Sequence, residues 1–95
     1  MRTYELMTIH RPDLAETEVH TLVSAVEEFL GGRGATVSST DLWGKRRFAY
    51  EIDHLTEGYY SVINFSSEAE LIADLDRMLS LADEVVRHKV FRPGA

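Results

Sequence analysis

Hydrophobic and polar positions alternate at the start of the chain. Thr3 to Ile9 (TYELMTI) is rich in β-branched and aromatic residues, and this spacing predicts a strand. His10-Arg11-Pro12 ends it, because proline cannot donate to a central ladder. Asp13, with Glu16 three residues later, has the form of a helix-capping box. The period then changes to helical: Val19, Leu22, Val23, Val26, Phe29 and Leu30 fall on one stripe. Gly31-Gly32-Arg33-Gly34 stops that stripe with the residue type that tolerates a left-handed helix end.

Ala35 to Leu42 reads as a second strand, polar on one side. Trp43-Gly44 interrupts it, after which Phe48, Tyr50 and Ile52 resume with period two. Val37 and Trp43 share one parity and the later set the other, so a bulge or bend at Gly44 is expected. Asp53 to Gly58 carries turn chemistry, and Gly58 to Phe65 (GYYSVINF) is a third strand, apolar on both parities as inside a sheet. Ser67 and Glu70 form an S-x-x-E capping box before Leu71, Ile72, Leu75, Met78, Leu79 and Ala82. Val85 to Phe91 is the last strand, followed by a short tail, 92–95.

The order β-α-β-β-α-β predicts one α+β domain over residues 1–95, of the ferredoxin-like split β-α-β class. In that architecture a four-stranded antiparallel sheet carries both helices on one face. The other face is left open for function.

Composition narrows the chemistry. The 95 residues are 44% apolar and 27% charged, with no cysteine, which excludes disulfides, thiol catalysis and cysteine-based zinc sites. No apolar run approaches a membrane span, and no apolar stretch follows Arg2, so a cytosolic protein without membrane contact is expected. The histidines, His10, His20, His54 and His88, show no metal-ligand spacing, so neither metal nor cofactor is expected. His88, between Arg87 and Lys89, is expected at the surface.

The net charge of −6 argues against an anionic partner until it is mapped along the chain. Residues 14–30 hold four carboxylates and no cation, and residues 67–84 hold six against Arg77. The remainder is therefore net basic. Lys45-Arg46-Arg47 is the densest cluster, and three adjacent cations repel one another unless an anion joins them. In a regular strand Arg46 and Arg47 point to opposite faces. Arg87 and Lys89 share a parity on the last strand. The competing explanation is an edge strand guarded against aggregation by charge.

Further strings carry a resemblance. Met1-Arg2-x-Tyr4-Glu5, Arg11-Pro12-Asp13-Leu14, Trp43-Gly44-Lys45-Arg46-Arg47-Phe48-Ala49-Tyr50-x-Ile52, Glu57-Gly58-Tyr59-Tyr60, Asn64-Phe65 and Val86-Arg87-His88 follow one another in order. Together they resemble the bacterial small-subunit (30S) ribosomal protein S-six family. His10 departs from its usual aliphatic and Glu51 from its usual proline. The resemblance implies a platform protein that binds the central domain of 16S ribosomal RNA as a heterodimer with ribosomal protein S-eighteen. Arg2, Lys45, Arg46, Arg47, Arg87, Lys89 and Arg92 are then the candidate RNA contacts, and Trp43 and Tyr50 the candidate contacts to the partner protein.

Two other readings compete. An RNA recognition motif shares the element order, yet Glu57 to Asn64 matches its third-strand consensus only at Gly58, Tyr59 and Val62. A small ferredoxin-like dimer acting as a ligand-binding protein or enzyme needs convergent catalytic groups, and none is visible. Gly31-Gly32-Arg33-Gly34 follows a helix instead of opening one, and Ser38-Ser39-Thr40 lacks a nucleophile elbow.

Overall fold

The computed structural model describes residues 1–93; Gly94 and Ala95, the end of the expected tail, lie outside the described residues. Six elements follow in the expected order: β1 (Arg2–His10), α1 (Glu16–Gly32), β2 (Thr36–Ile52), β3 (Leu55–Ser67), α2 (Leu71–Ser80) and β4 (Val85–Phe91). The strands form one antiparallel sheet in the order β2-β3-β1-β4, a ferredoxin-like layout.

Ladder register decides which residues share a face. Tyr4 pairs with Phe65, Leu6 with Ile63 and Thr8 with Ser61, and this set faces the helices. Against it pack Val19, Val23, Val26 and Leu30 of α1 and Leu71, Leu75 and Leu79 of α2, the inner positions of each helical stripe. Burying such aliphatic side chains contributes about 1.5–3 kcal/mol each, which is what holds the helices to the sheet. The helices also meet at their ends, where Arg33 donates to Asp74 at 2.6 Å. That hydrogen bond, and the charge behind it, hold the Asp74 carboxyl below its ordinary pKa.

Both helix starts differ from the expected boxes. Ala15 is the first cap, its amide donating to Glu18 Oε1 at 2.8 Å, while the Asp13 carboxylate lies 3.2 Å from Arg11. Glu70 caps α2 without a side-chain hydrogen bond. Ser67 is still in the ladder opposite Arg2, and its hydroxyl donates to the Glu68 carbonyl. α1 also continues past Leu30 to Gly32, and the left-handed residue is Gly34, with φ +85°.

β2 and β3 form a longer hairpin than the turn signals suggested. The loop uses only Asp53 and His54, both with positive φ, which matches the twist of a two-residue hairpin. Leu55, Thr56 and Glu57, expected in the turn, therefore belong to β3. The bulge at Gly44 is present, with φ +80° and a register shift between Leu42 and Gly44. A second shift separates Val37 from Ser39. Because of it Val37 packs on the core whereas Trp43 stacks on Tyr60 across the other face, so the two do not share a side.

Candidate nucleic-acid interface

The helix-free face is organised in rows across the sheet. One row runs Arg87, Ile9, Tyr60, Gly44, and the next Lys89, Met7, Val62, Asp41. Arg46 is opposite Gly58, so it belongs to the same face at the hairpin end. Lys45, opposite Tyr59, and Arg47, opposite Glu57, lie on the alternate parity.

All seven candidate cations are exposed, but they do not form a single patch. Arg46 and Arg47 meet at a concavity of about 460 Å³ that they share with Trp43 and Tyr60. The alternation expected of a regular strand is thus present in the register, yet both residues line one hollow. Arg46 Nε donates to the Trp43 carbonyl at 3.2 Å, which anchors the side chain through one nitrogen. Lys45 turns its ammonium over the Tyr59 ring, 5.2 Å from its centre. Arg87 sits in the Tyr60 row two strands away, about 10 Å by strand spacing. Lys89 lies over Phe91 at 5.1 Å, one row further. Arg2 pairs with Ser67 at the opposite end of the sheet, and Arg92 follows β4, so neither joins the hairpin cluster.

The aromatic residues are placed unevenly. Trp43 is 49% exposed and lies flat on Tyr60, with centroids 5.9 Å apart and planes at 12°. Phe48 meets the same Tyr60 ring edge-on at 5.9 Å. Tyr50 is 86% exposed near the hairpin tip. Of the two third-strand tyrosines, Tyr59 packs against the core and Tyr60 belongs to the open face.

Gly58 makes this arrangement possible. A Cβ there would stand 2.7 Å from the His10 carbonyl oxygen and 2.9 Å from Phe48 Cζ. Only a residue without a side chain lets Phe48 close over the strand and buttress Tyr60.

Two histidines are placed differently from what spacing suggested. His88 faces the helix side, with Nε2 3.1 Å from Asp76 of α2, because it is paired with the inward Thr8. His10 is buried, its Nε2 2.8 Å from the Thr8 hydroxyl, and Thr8 in turn is hydrogen-bonded to the Ser61 hydroxyl. A hydroxyl beside an imidazole is the raw material of nucleophilic catalysis, but Thr8 and Ser61 are 2% and 1% exposed, so no substrate reaches them. Sequence reading missed this cluster, although Thr8 and His10 break the apolar parity of β1. Among the described residues no three potential ligands come together to hold a metal ion, and no helix is long and apolar enough to cross a membrane.

Comparison with known proteins bears on the family and the fold. The family model of ribosomal protein S6 matches residues 3–92. The small ribosomal subunit protein bS6 of Symbiobacterium thermophilum is 48% identical over 94 residues, covering 99% of each chain. The protein of the same name from Carboxydothermus hydrogenoformans is 45% identical over 92 residues, covering 97% of this chain and 96% of its own. The crystal structure of 30S ribosomal protein S6 from Thermotoga maritima superposes with a TM-score of 0.91 at 33% identity, covering 96% of this chain and 86% of that one. A match of this length and depth, on the same β-α-β-β-α-β frame, shows that the chain belongs to the ribosomal protein S6 family, whose named members are structural proteins of the small ribosomal subunit and not enzymes.

Proposed function

We propose that this chain is a structural component of the small ribosomal subunit in the cytoplasm, where it binds the central domain of 16S ribosomal RNA together with ribosomal protein S-eighteen on the platform. The observation that carries the reading is the convergence of Arg46 and Arg47 on the hollow beside Trp43 and Tyr60, within a chain of net charge −6. Guanidinium pairs suit phosphate oxygens, since each presents a planar fork of donors. Lys45, Arg87, Lys89, Arg2 and Arg92 supply further backbone contacts, which position the protein without reading base identity. Trp43 and Tyr50 are the surfaces offered to the protein partner, because Tyr50 is almost fully exposed and Trp43, stacked on Tyr60, is still half exposed.

The acidic helices explain why a partner is needed. With both helices net negative, the chain alone attracts RNA weakly, and a basic partner raises the affinity. A filter or gel-shift assay with the chain, ribosomal protein S-eighteen and their mixture tests this. Tighter binding by the mixture is expected, and equal affinity with and without the partner overturns the reading. Neither metal nor cofactor belongs to it, and stoichiometric metal whose chelation unfolds the chain contradicts that part.

A further inference from the structure

The stacked rings of Trp43 and Tyr60 line two hollows of different composition. One is lined also by Arg46 and Arg47. The other is a more enclosed niche of about 400 Å³, lined by Glu16, Val19, His20, Leu42, Trp43, Gly44, Tyr59 and Tyr60. We infer that this second niche receives a guanidinium side chain from a basic polypeptide partner, so that protein and RNA share one ring pair. The inference rests on the reading above and adds to it a place and a chemistry for the protein contact.

Three observations carry it. First, aromatic faces and a carboxylate converge, the combination that attracts an organic cation by ring quadrupole and by charge. Lys45 already lies over Tyr59 at 5.2 Å, so an incoming cation meets Trp43, which is half exposed. Second, Glu16 is exposed in the first turn of α1 and makes no ion pair among the described residues. Glu18 stands in the same turn, and α1 carries no cation at all. Third, that charge repels a phosphate, which favours a protein over a nucleotide as the occupant. Arginine fits better than lysine, since its planar head stacks on an indole while its donors reach a carboxylate.

The test uses the full chain, ribosomal protein S-eighteen and a 16S central-domain RNA fragment. Trp43 is the single tryptophan and lines both hollows, so its emission reports on an occupant of either, and the Glu16 variant assigns the response to the niche. Glu16→Gln is compared with Glu28→Gln, which removes the same charge from an exposed position elsewhere on α1. Circular dichroism confirms that both variants are folded. Addition of the partner protein should change Trp43 emission, and Glu16→Gln should weaken that complex about tenfold against less than twofold for Glu28→Gln. Equal weakening by the two variants means a general acidic field and overturns the niche. Emission that responds to RNA but not to the protein overturns it too, because a nucleotide is then the occupant. If the unaltered chain binds neither, the proposed binding of RNA and partner has itself failed. If it binds the partner with no dependence on Glu16, only the niche has.

Discussion

The His10 imidazole stands 2.8 Å from the Thr8 hydroxyl, two residues back along the same strand, and both side chains are sealed on the helix-facing side of the sheet. Burial pushes the His10 pKa from 6.5 to about 4, against a smaller opposing pull from Glu84. The unfolded chain therefore takes up this proton first as pH falls. Above about pH 6.5 His10 is neutral in both states and has no effect on stability. Between about 6.5 and 4 the unfolded state gains the proton and stability drops, by roughly 2–4 kcal/mol in total. Urea midpoints measured across that range should decline steeply, and His10→Leu should flatten the decline. An unchanged slope in the variant assigns the acid sensitivity elsewhere.

Gly58 and Gly32 should respond oppositely to alanine. At Gly58 the new methyl meets the His10 carbonyl at 2.7 Å, a backbone atom that cannot swing away, so Gly58→Ala should lose about 2–4 kcal/mol. At Gly32 nothing lies within 4 Å and the backbone is helical, so Gly32→Ala should gain about 0.5–1 kcal/mol. Denaturant titration of both variants checks the signs.

Arg46 and Arg47 should differ in their share of the RNA contact. Arg47 stands across the ladder from an acidic residue, Glu57, whereas Arg46 is opposite Gly58. Arg46→Ala should reduce the slope of log K against log salt by about 0.7–0.9, and Arg47→Ala by distinctly less. Equal reductions mean that Glu57 does not compensate. No reduction in either moves the phosphate site to Arg2, Arg87 and Lys89.

Tyr50 separates stability from assembly. Its ring is 86% exposed, so Tyr50→Ser should leave unfolding within about 0.5 kcal/mol of the parent. Binding to the protein partner should nevertheless weaken. Unchanged partner affinity, measured by titration calorimetry, removes Tyr50 from the interface.

The frame was legible because its signals agree. The helical stripe of Val19, Val23, Val26 and Leu30 and the apolar run Gly58 to Phe65 have distinct periods, and Gly44 marks its own bulge. The shift between Val37 and Ser39 carries no such mark, since neither glycine nor proline is present and serine suits either face. The cap of α1 was ambiguous for a simpler reason. Asp13 and Ala15 each have a glutamate three residues on, and the pairing of Asp13 with Arg11 decides between them. At the site, the strand spacing of Arg46 and Arg47 was visible, but their meeting beside Trp43 depends on the bulge and on Tyr60 beneath it.

The length of the β2–β3 hairpin has a dynamic consequence. β1 ends at His10, opposite Tyr59, so from Gly58 to the loop the ribbon has only two strands and no third neighbour. Two-stranded ribbons are marginal on their own, and regions with few buried contacts open below the free energy of global unfolding. Amide hydrogens of Leu55 to Glu57 should therefore exchange with solvent sooner than those of Leu6 or Ile63 at the sheet centre. Arg47, Phe48 and Tyr50 are carried on this ribbon, so a part of the molecule that holds proposed contact residues can unzip and reclose while the remainder stays folded.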